Sequence, residues 1–166
     1  GFDRALEHFA TACDADDDCL LGEIGLTLDV IDGLRAEIQE VGSFPTDDPT
    51  RVLTPGELTL GVFAALYSES YWPFLVLGLY VAETDEDGSI LQVLADLYSG
   101  RRYDGTYENL NEANVAINCA DDAERRTADD QRVVSEAGAA ASEHFPDFLR
   151  TFTGCLGIPA AADPLI

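Results

Sequence analysis

The residues of this chain that could do covalent chemistry are its serines and histidines, and their spacing argues against a catalytic site. A serine hydrolase needs a nucleophile within a Gly-x-Ser-x-Gly elbow. None of the serines has glycines at that spacing, and His8 and His144 lie in helix-like segments, where surface or boundary positions explain them. We expect this chain by itself to be non-catalytic and to need no cofactor.

The four cysteines predict disulfides. An even number of cysteines in a short chain is typical of a disulfide framework in an oxidising compartment. Of the three possible pairings we favour Cys13–Cys19 with Cys119–Cys155, since the first pair brackets a short aspartate-rich loop and the second brackets the C-terminal third. Cys13 and Cys19 would point to different sides of one helix, so the helix must end between them.

A metal site is the weaker interpretation of these residues. Zinc sites usually contain Cys-x-x-Cys or Cys/His clusters, and the sequence has neither. The aspartates at 14 and 16–18 lack the glycine and the final glutamate of an EF-hand loop. A solvated acidic turn explains them, and we expect no metal.

The charge of the chain limits its partners. Nine basic residues, all arginine, stand against 32 acidic residues, which gives a net charge of −23. Nucleic acid and anionic lipid would be repelled, whereas a cationic or amine-bearing ligand would be favoured. A solvated surface or adaptation to high salt are the alternative explanations. The sequence has no long apolar run that predicts a membrane span, and a chain that begins at Gly1 without methionine is expected to be a processed product or a fragment.

Hydrophobic spacing predicts helices along most of the chain. Steps of three and four residues predict a helix over residues 2–14 and a second from Ile24 to Val41. Thr54-Pro55-Gly56-Glu57 combines a capping box with proline at the first helical position, so a helix is expected from there to about Tyr67. Further helices are expected after a cap at Ser70, after the turn at 85–88 with Leu97 among its apolar positions, from Thr127 to about His144, and from Pro146 to Phe152.

The predicted fold class is all-α, an irregular array of about six to eight helices stapled by two disulfides. Residues 42–50 contain two prolines and predict a surface loop, and no segment shows clear two-residue alternation. The helix over residues 72–81 is apolar nearly all round. It must be buried on more than one side, either by the chain itself or by something outside the chain.

Several segments together resemble one protein family. Ala116-Ile117-Asn118-Cys119-Ala120-Asp121 resembles the stretch that closes the helical lid of secreted α/β-hydrolase peptidases, the tripeptidyl and prolyl aminopeptidases common in actinobacteria. The segments 1–9 with Cys13 and Cys19, 66–73, and 152–159 are similar to the opening, middle and end of that lid. The resemblance spans nearly the whole chain, so we expect a single lid domain over residues 1–166, inserted in a larger hydrolase.

The resemblance implies what such a lid would do. It would gate a serine exopeptidase whose Ser-Asp-His triad lies outside this chain, and it would help bind the free amine of the peptide substrate. The candidate substrate-binding residues are Glu112, Glu108, Asn109, Asn111, Asn114 and Trp72. Two other roles compete with substrate binding: Glu112 in the first turn of a helix would favour the positive dipole end, and Trp72 would serve as core. Asp121 is expected to pair with Arg125, Arg126 or Arg102.

The resemblance also implies partners and a location, against which one main alternative stands. The partners would be the catalytic body of the parent protein and a peptide N-terminus, the location secreted or cell envelope, and an isolated lid could dimerise through an exposed apolar face. A lid predicts an apolar patch near residues 72–81 and two chain ends that leave close together. The alternative, a self-contained acidic binding module for a cationic partner, predicts no large apolar patch.

Overall fold

The computed structural model describes residues 1–121, 125–151 and 153–159. The chain divides into two compact units, an N-terminal unit of residues Gly1–Arg101 and a C-terminal unit of residues Arg102–Ile166. Across the described residues the structure has eight α-helices and one two-stranded hairpin, so the predicted all-α class is confirmed. None of the helices in this part of the chain has the length and apolar character required to cross a bilayer.

The N-terminal unit contains five α-helices, two short 3₁₀ helices and the hairpin. The helices are α1 (Phe2–Asp14), α2 (Thr27–Val41), α3 (Pro55–Leu66), α4 (Trp72–Asp85) and α5 (Ser89–Ser99), and the 3₁₀ helices span Leu20–Glu23 and Glu69–Tyr71. Strands β1 (Phe44–Pro45) and β2 (Val52–Leu53) pair antiparallel, with Phe44 opposite Leu53.

Helix α3 lies at the centre of the N-terminal unit, because it is apolar on nearly every side and packs most extensively against α5. Gly61 permits the close approach of these two helices. A Cβ atom at this position would lie 2.7 Å from the carbonyl oxygen of Leu91. The amphipathic α1 closes one side of this core with Leu6, Phe9 and Ala10, as the three- and four-residue spacing predicts.

The start of α3 confirms the predicted capping box. The side chain of Thr54 accepts a hydrogen bond from the backbone N–H of Glu57 at 3.3 Å, and the carboxylate of Glu57 accepts one from the backbone N–H of Thr54 at 3.0 Å. Pro55 occupies the first turn, where its missing N–H leaves no intrahelical bond unmade. Local sequence therefore fixes where this helix begins.

Two local predictions for the N-terminal unit are wrong. Helix α2 begins at Thr27 rather than at Ile24, because the residues before it form a 3₁₀ helix. The carboxylate of Asp14 accepts a hydrogen bond from the backbone N–H of Thr27 at 2.9 Å. Ser68 rather than Ser70 accepts the capping hydrogen bond before the 3₁₀ helix that leads into α4. Leu97 lies in α5, as predicted, on the exposed side of the helix.

The loop predicted over residues 42–50 contains β1, whose pairing with β2 was not predicted. Each strand is only two residues long, which is too short for an alternating pattern to show. The backbone N–H of Gly88 donates to the carbonyl of Pro45 at 2.9 Å, so the hairpin is held against the start of α5.

The C-terminal unit contains α6 (Leu110–Asp121), α7 (Ala128–Ala140) and α8 (Pro146–Arg150). Thr127 caps α7 with a second capping box, as predicted, but the helix ends at Ala140 rather than near His144. Helix α8 begins at Pro146 as expected and ends at Arg150. Its predicted last residue, Phe152, and the chain end at 160–166 lie outside the described residues, so the predicted proximity of the two chain ends stays a prediction.

Both predicted disulfides are present. Cys13–Cys19 closes the loop that follows α1, and Cys119–Cys155 joins α6 to the turn after α8. Helix α1 ends at Asp14, between the two cysteines of the first pair, as their spacing required. Each disulfide lies within one unit, so the N-terminal and C-terminal units have one staple each.

Candidate functional site

Five of the six predicted substrate-binding residues lie together at the start of α6. The backbone N–H of Ala113 donates to the carbonyl of Asn109 at 2.9 Å, so Asn109 occupies the position directly before the helix. Glu112 follows in the first helical turn, where the positive end of the helix dipole favours a carboxylate. All five residues are exposed: Glu108, Asn109, Asn111, Glu112 and Asn114.

The two candidate carboxylates differ in their partners. Oε1 of Glu108 lies 3.7 Å from the guanidinium nitrogen of Arg102, and both side chains are about half exposed. Glu112 makes no hydrogen bond or ion pair with any residue in the described part of the chain. Glu112 is therefore the carboxylate that is available to a ligand, whereas Glu108 already has a cation beside it.

The amide side chains near Glu112 supply further polar groups. Nδ2 of Asn118 donates to Oδ1 of Asn114 at 2.7 Å, one helical turn away. This bond occupies the carbonyl oxygen of Asn114 and leaves its amide nitrogen directed elsewhere. The first two turns of α6 thus present one carboxylate and several amides to solvent.

Helix α6 is anchored at its C-terminal end. The Cys119–Cys155 disulfide ties it to the turn after α8, and Cys119 is buried. The guanidinium of Arg125 donates to the carbonyl oxygens of Cys119, Ile158 and Pro159. Arg125 therefore fixes the return of the chain through backbone carbonyls, whereas Arg102 lies beside Glu108.

Trp72, the sixth predicted residue, belongs to the N-terminal unit. Its indole ring packs edge-to-face against His8 and Phe9 of α1, with both pairs of ring centroids 5.4 Å apart. The indole N–H is buried and has no hydrogen-bond partner among the described residues. These contacts give Trp72 a packing role at the junction of α1 and α4.

Helix α4 is buried on one side only. Leu75, Leu79 and Ala82 face the core, whereas Phe74 and Leu77 on the opposite side are 57% and 40% exposed. Within the described N-terminal unit one side of this helix is therefore uncovered, although its sequence is apolar nearly all round.

The prediction of a surface or boundary position is wrong for His144, which is buried. Its ring lies edge-on to that of Phe145 at 6.4 Å. His8, in contrast, is exposed. No local pattern distinguishes the two histidines, since both lie in segments of helical character.

A cluster of half-buried and buried polar residues in the N-terminal unit was also not predicted. Nε2 of Gln92 donates to Oε1 of Glu57 at 3.2 Å, and Asp96, one turn further along α5, accepts hydrogen bonds from Arg51. These hydrogen bonds link the hairpin, α3 and α5, although Oε1 of Gln92 has no hydrogen-bond partner among the described residues. The cluster holds the unit together.

A cluster of aromatic rings lies where α1, α3 and α5 meet in the same unit. The rings of Phe2 and Phe63 stack with centroids 4.0 Å apart, and those of Tyr67 and Tyr98 lie 6.2 Å apart. Burial raises the pKa of the Tyr98 hydroxyl, and the neighbouring Tyr67 raises it further. The sequence predicted helical positions for these residues but not their contact.

The chain is similar in sequence to proteins that are named as hydrolases. No family model matches it. It is 35% identical over 126 residues to Carboxylesterase B of Mycobacterium tuberculosis, an alignment that covers 73% of this chain and 23% of that protein. It is 32% identical over 127 residues to serine protease Hip1 of Mycobacterium tuberculosis, which covers 73% of this chain and 24% of that protein.

The chain thus spans about a quarter of the length of the curated relatives that it matches. It is similar to one region of larger proteins whose names describe hydrolases, a carboxylesterase in one case and a serine protease in the other. The similarity supports a hydrolase-related role for this region.

Proposed function

We propose that this chain is the substrate-gating lid of a secreted serine exopeptidase of the α/β-hydrolase class, one similar to tripeptidyl and prolyl aminopeptidases. The lid covers the cleft of a catalytic body that belongs to the same longer protein. It also helps to bind the N-terminus of the peptide substrate. The catalytic serine, aspartate and histidine lie in that body.

The observation that carries this proposal is the extent of the similarity. Two relatives named as an esterase and a protease match over about three quarters of this chain but over only about a quarter of their own length. The chain itself has no Gly-x-Ser-x-Gly elbow. An all-helical region of a serine hydrolase that lacks the nucleophile fits a lid better than a catalytic core.

The exposed side of α4 also supports a lid. Phe74 and Leu77 are three residues apart, so they share one face of the helix and expose apolar surface together. Exposed apolar patches of this kind mark surfaces that contact a partner. The alternative function, a self-contained acidic module for a cationic partner, does not account for this face.

Glu112 is the residue that we assign to amine binding. An exopeptidase must bind the free α-ammonium of its substrate, and a carboxylate that accepts charge-assisted hydrogen bonds is the physical means. Glu112 is exposed and has no partner in the described part of the chain, while Glu108 lies beside Arg102. The neighbouring asparagines supply amide groups for the peptide backbone.

The test is Glu112→Gln in the longer protein, with kcat/KM measured for a free peptide and for the same peptide N-acetylated. Loss of one charge-assisted contact should lower kcat/KM for the free peptide by about 10-fold to 100-fold. Activity on the N-acetylated peptide should not change, because that substrate has no ammonium group. The matched control is Glu136→Gln, which removes an exposed carboxylate of α7 that lies near Arg150 of α8.

Unchanged discrimination between the two peptides in the Glu112 variant would remove this residue from amine binding. The same comparison with Glu108→Gln then decides whether the second carboxylate takes that role. If neither variant changes the ratio of the two activities, binding of the peptide N-terminus by this lid is wrong.

A further inference from the structure

The segment that follows α5 joins the two compact units in sequence. The N-terminal unit ends at Arg101, and the C-terminal unit begins at Arg102. Residues 102–112 are all exposed, which is the longest such run in the part of the chain that the structure describes. Tyr103 is 101% exposed and Tyr107 is 58% exposed. Exposed connecting segments are where proteolytic nicking concentrates.

Hydrogen bonds within residues 102–106 form a turn at the start of this segment. The backbone N–H of Arg102 donates to the carbonyl of Thr106 at 2.8 Å, and the backbone N–H of Gly105 donates to the carbonyl of Arg102 at 3.0 Å. The carboxylate of Asp104 accepts a hydrogen bond from the backbone N–H of Thr106 at 3.0 Å. A turn of exposed residues that is closed by such local bonds can open without the unfolding of a helix.

Arg101 and Arg102 are adjacent cations whose side chains differ in access. The side chain of Arg101 is 20% exposed and its guanidinium lies 3.4 Å from the carboxylate of Asp96. The side chain of Arg102 is 53% exposed and its guanidinium lies 3.7 Å from the carboxylate of Glu108, which is exposed to the same extent. Exposed ion pairs contribute little to stability, so Arg102 can leave Glu108 at small cost and enter another binding site.

The other seven arginines are less suited to recognition by a protease, which binds its substrate in extended form. The side chain of Arg51 is 17% exposed and is bound to Asp96. Arg125 donates to backbone carbonyls. Arg126 directly precedes Thr127, the cap of α7, so cleavage after Arg126 would require this helix to unwind. The remaining four lie within helices: Arg4, Arg35, Arg132 and Arg150.

We infer that the peptide bond between Arg102 and Tyr103 is a processing site for an arginine-specific endoprotease. The specificity pocket of such an enzyme contains a carboxylate, which binds the guanidinium of Arg102 through charge-assisted hydrogen bonds. In the reaction one water molecule is consumed: the bond from the carbonyl carbon of Arg102 to the nitrogen of Tyr103 breaks, and a bond from that carbon to the water oxygen forms. The products are a carboxylate on Arg102 and an α-ammonium group on Tyr103.

Cleavage at this bond would leave the two units without a covalent link through this segment or through a disulfide. The Cys13–Cys19 disulfide lies in the N-terminal unit and the Cys119–Cys155 disulfide lies in the C-terminal unit. The chain has no other cysteine. Helices α1 to α5 would therefore be separated from α6, which carries Glu112. This inference goes beyond the proposed function and does not rest on it.

The test is limited digestion of the chain by trypsin with both disulfides intact, followed by mass spectrometry of the fragments. The first cut is expected after Arg102, and its two fragments should separate under denaturing conditions without a reductant. Arg102→Gln should slow the first cut at least about ten-fold, because the protease pocket loses its charge-assisted partner, whereas Arg102→Lys should retain the cut. The matched control, Arg126→Gln, should leave its rate unchanged. A first cut after any other arginine, or an unchanged rate in Arg102→Gln, overturns the inference.

Digestion by chymotrypsin, whose pocket takes aromatic side chains, tests whether the substitution alters access to the segment. Chymotrypsin should cut after Tyr103 at the same rate in Arg102→Gln and in the native chain. A parallel fall in the rates of both proteases would show that the substitution changes the structure of the segment, and it would overturn recognition of the Arg102 guanidinium. These measurements do not depend on peptide discrimination by Glu112, so the inference and the proposed function fail separately.

Discussion

The guanidinium of Arg51 donates two hydrogen bonds to the carboxylate of Asp96, at 2.8 and 2.6 Å, across a sequence separation of 45 residues. Arg51 directly precedes β2 and Asp96 lies on α5, so this pair fixes the hairpin to the helix. Both side chains are mostly buried, with exposed fractions of 17% and 22%. The guanidinium of Arg101 lies 3.4 Å from Oδ2 of the same carboxylate.

The pair predicts a stability that depends on pH. Burial raises the pKa of Asp96, but the hydrogen bonds and charge of Arg51, with Arg101 and Gln92, outweigh burial and hold the pKa below that of an ordinary aspartate. A carboxyl with a lowered pKa in the folded state stabilises the fold above its ordinary pKa of about 3.9. That contribution is lost as the pH falls through the lowered value.

We therefore predict that Asp96→Asn lowers the free energy of unfolding by about 2 kcal/mol at neutral pH, since Arg51 loses a charged partner. The difference from the native protein should shrink once the pH falls below about 4. Urea unfolding followed by circular dichroism at several pH values measures it. Asp32→Asn, in an exposed ion pair with Arg35, is the control and should cost less than about 1 kcal/mol. A difference that is constant with pH would contradict the prediction.

We predict that replacing glycine with alanine has opposite effects on stability at Gly61 and at Gly33. Gly61→Ala places a Cβ 2.7 Å from the carbonyl oxygen of Leu91, so α3 and α5 must separate, at a cost of about 1–3 kcal/mol. Gly33→Ala on α2 meets no atom within 4 Å and should stabilise the helix by up to about 1 kcal/mol. Thermal unfolding of both variants tests this, and a shift of the same sign in both would contradict it.

We predict that removal of the Cys119–Cys155 disulfide destabilises α6 selectively. Replacing both cysteines with serine removes the main link of this helix to its unit, so α6 should lose protection from hydrogen exchange while α3 and α5 keep theirs. Closing a loop of 36 residues is worth about 4 kcal/mol in the chain-entropy model. Exchange measured by mass spectrometry on peptides from residues 107–121 and 55–66 reports the two regions.

The matched control for that variant replaces Cys13 and Cys19 with serine. Their loop is only six residues long, and α1 still buries Leu6 and Phe9 against the core, so helix protection should persist. Equal exchange of α6 in the two double variants would show that contacts other than the Cys119–Cys155 disulfide hold this helix.

We predict that loss of the Thr54 cap has a smaller, local effect on stability. Thr54→Ala removes the side-chain oxygen that accepts from Glu57 N–H at the start of α3, and the loss should cost about 1 kcal/mol. Thr54→Ser retains that oxygen and should recover most of the stability. Urea unfolding of the two variants measures both values, and equal losses would show that the Thr54 methyl group, rather than the cap, stabilises this position.

The local features of this protein could be predicted from its amino-acid sequence. The spacing of apolar residues located most of the helices, the Thr54–Glu57 capping box located the start of α3, and the aspartate-rich loop predicted the end of α1 between Cys13 and Cys19. These features depend on residues within a few positions of each other, because a helix and its caps are built from hydrogen bonds over three or four residues. The five polar candidates for the site are likewise close in sequence, between residues 108 and 114.

The distant contacts and the exposed surfaces could not be predicted in this way, because they depend on how the helices pack. The contact of Gly61 with Leu91 and the pairing of Arg51 with Asp96 depend on how α3, α5 and the hairpin pack, and no local spacing encodes that packing. The same holds for the exposed sides of α4 and α6, whose sequences predict helices but not the number of faces that are buried. Burial is set by the whole assembly of helices, so the distinction between Glu112 and Glu108 emerged only from the fold.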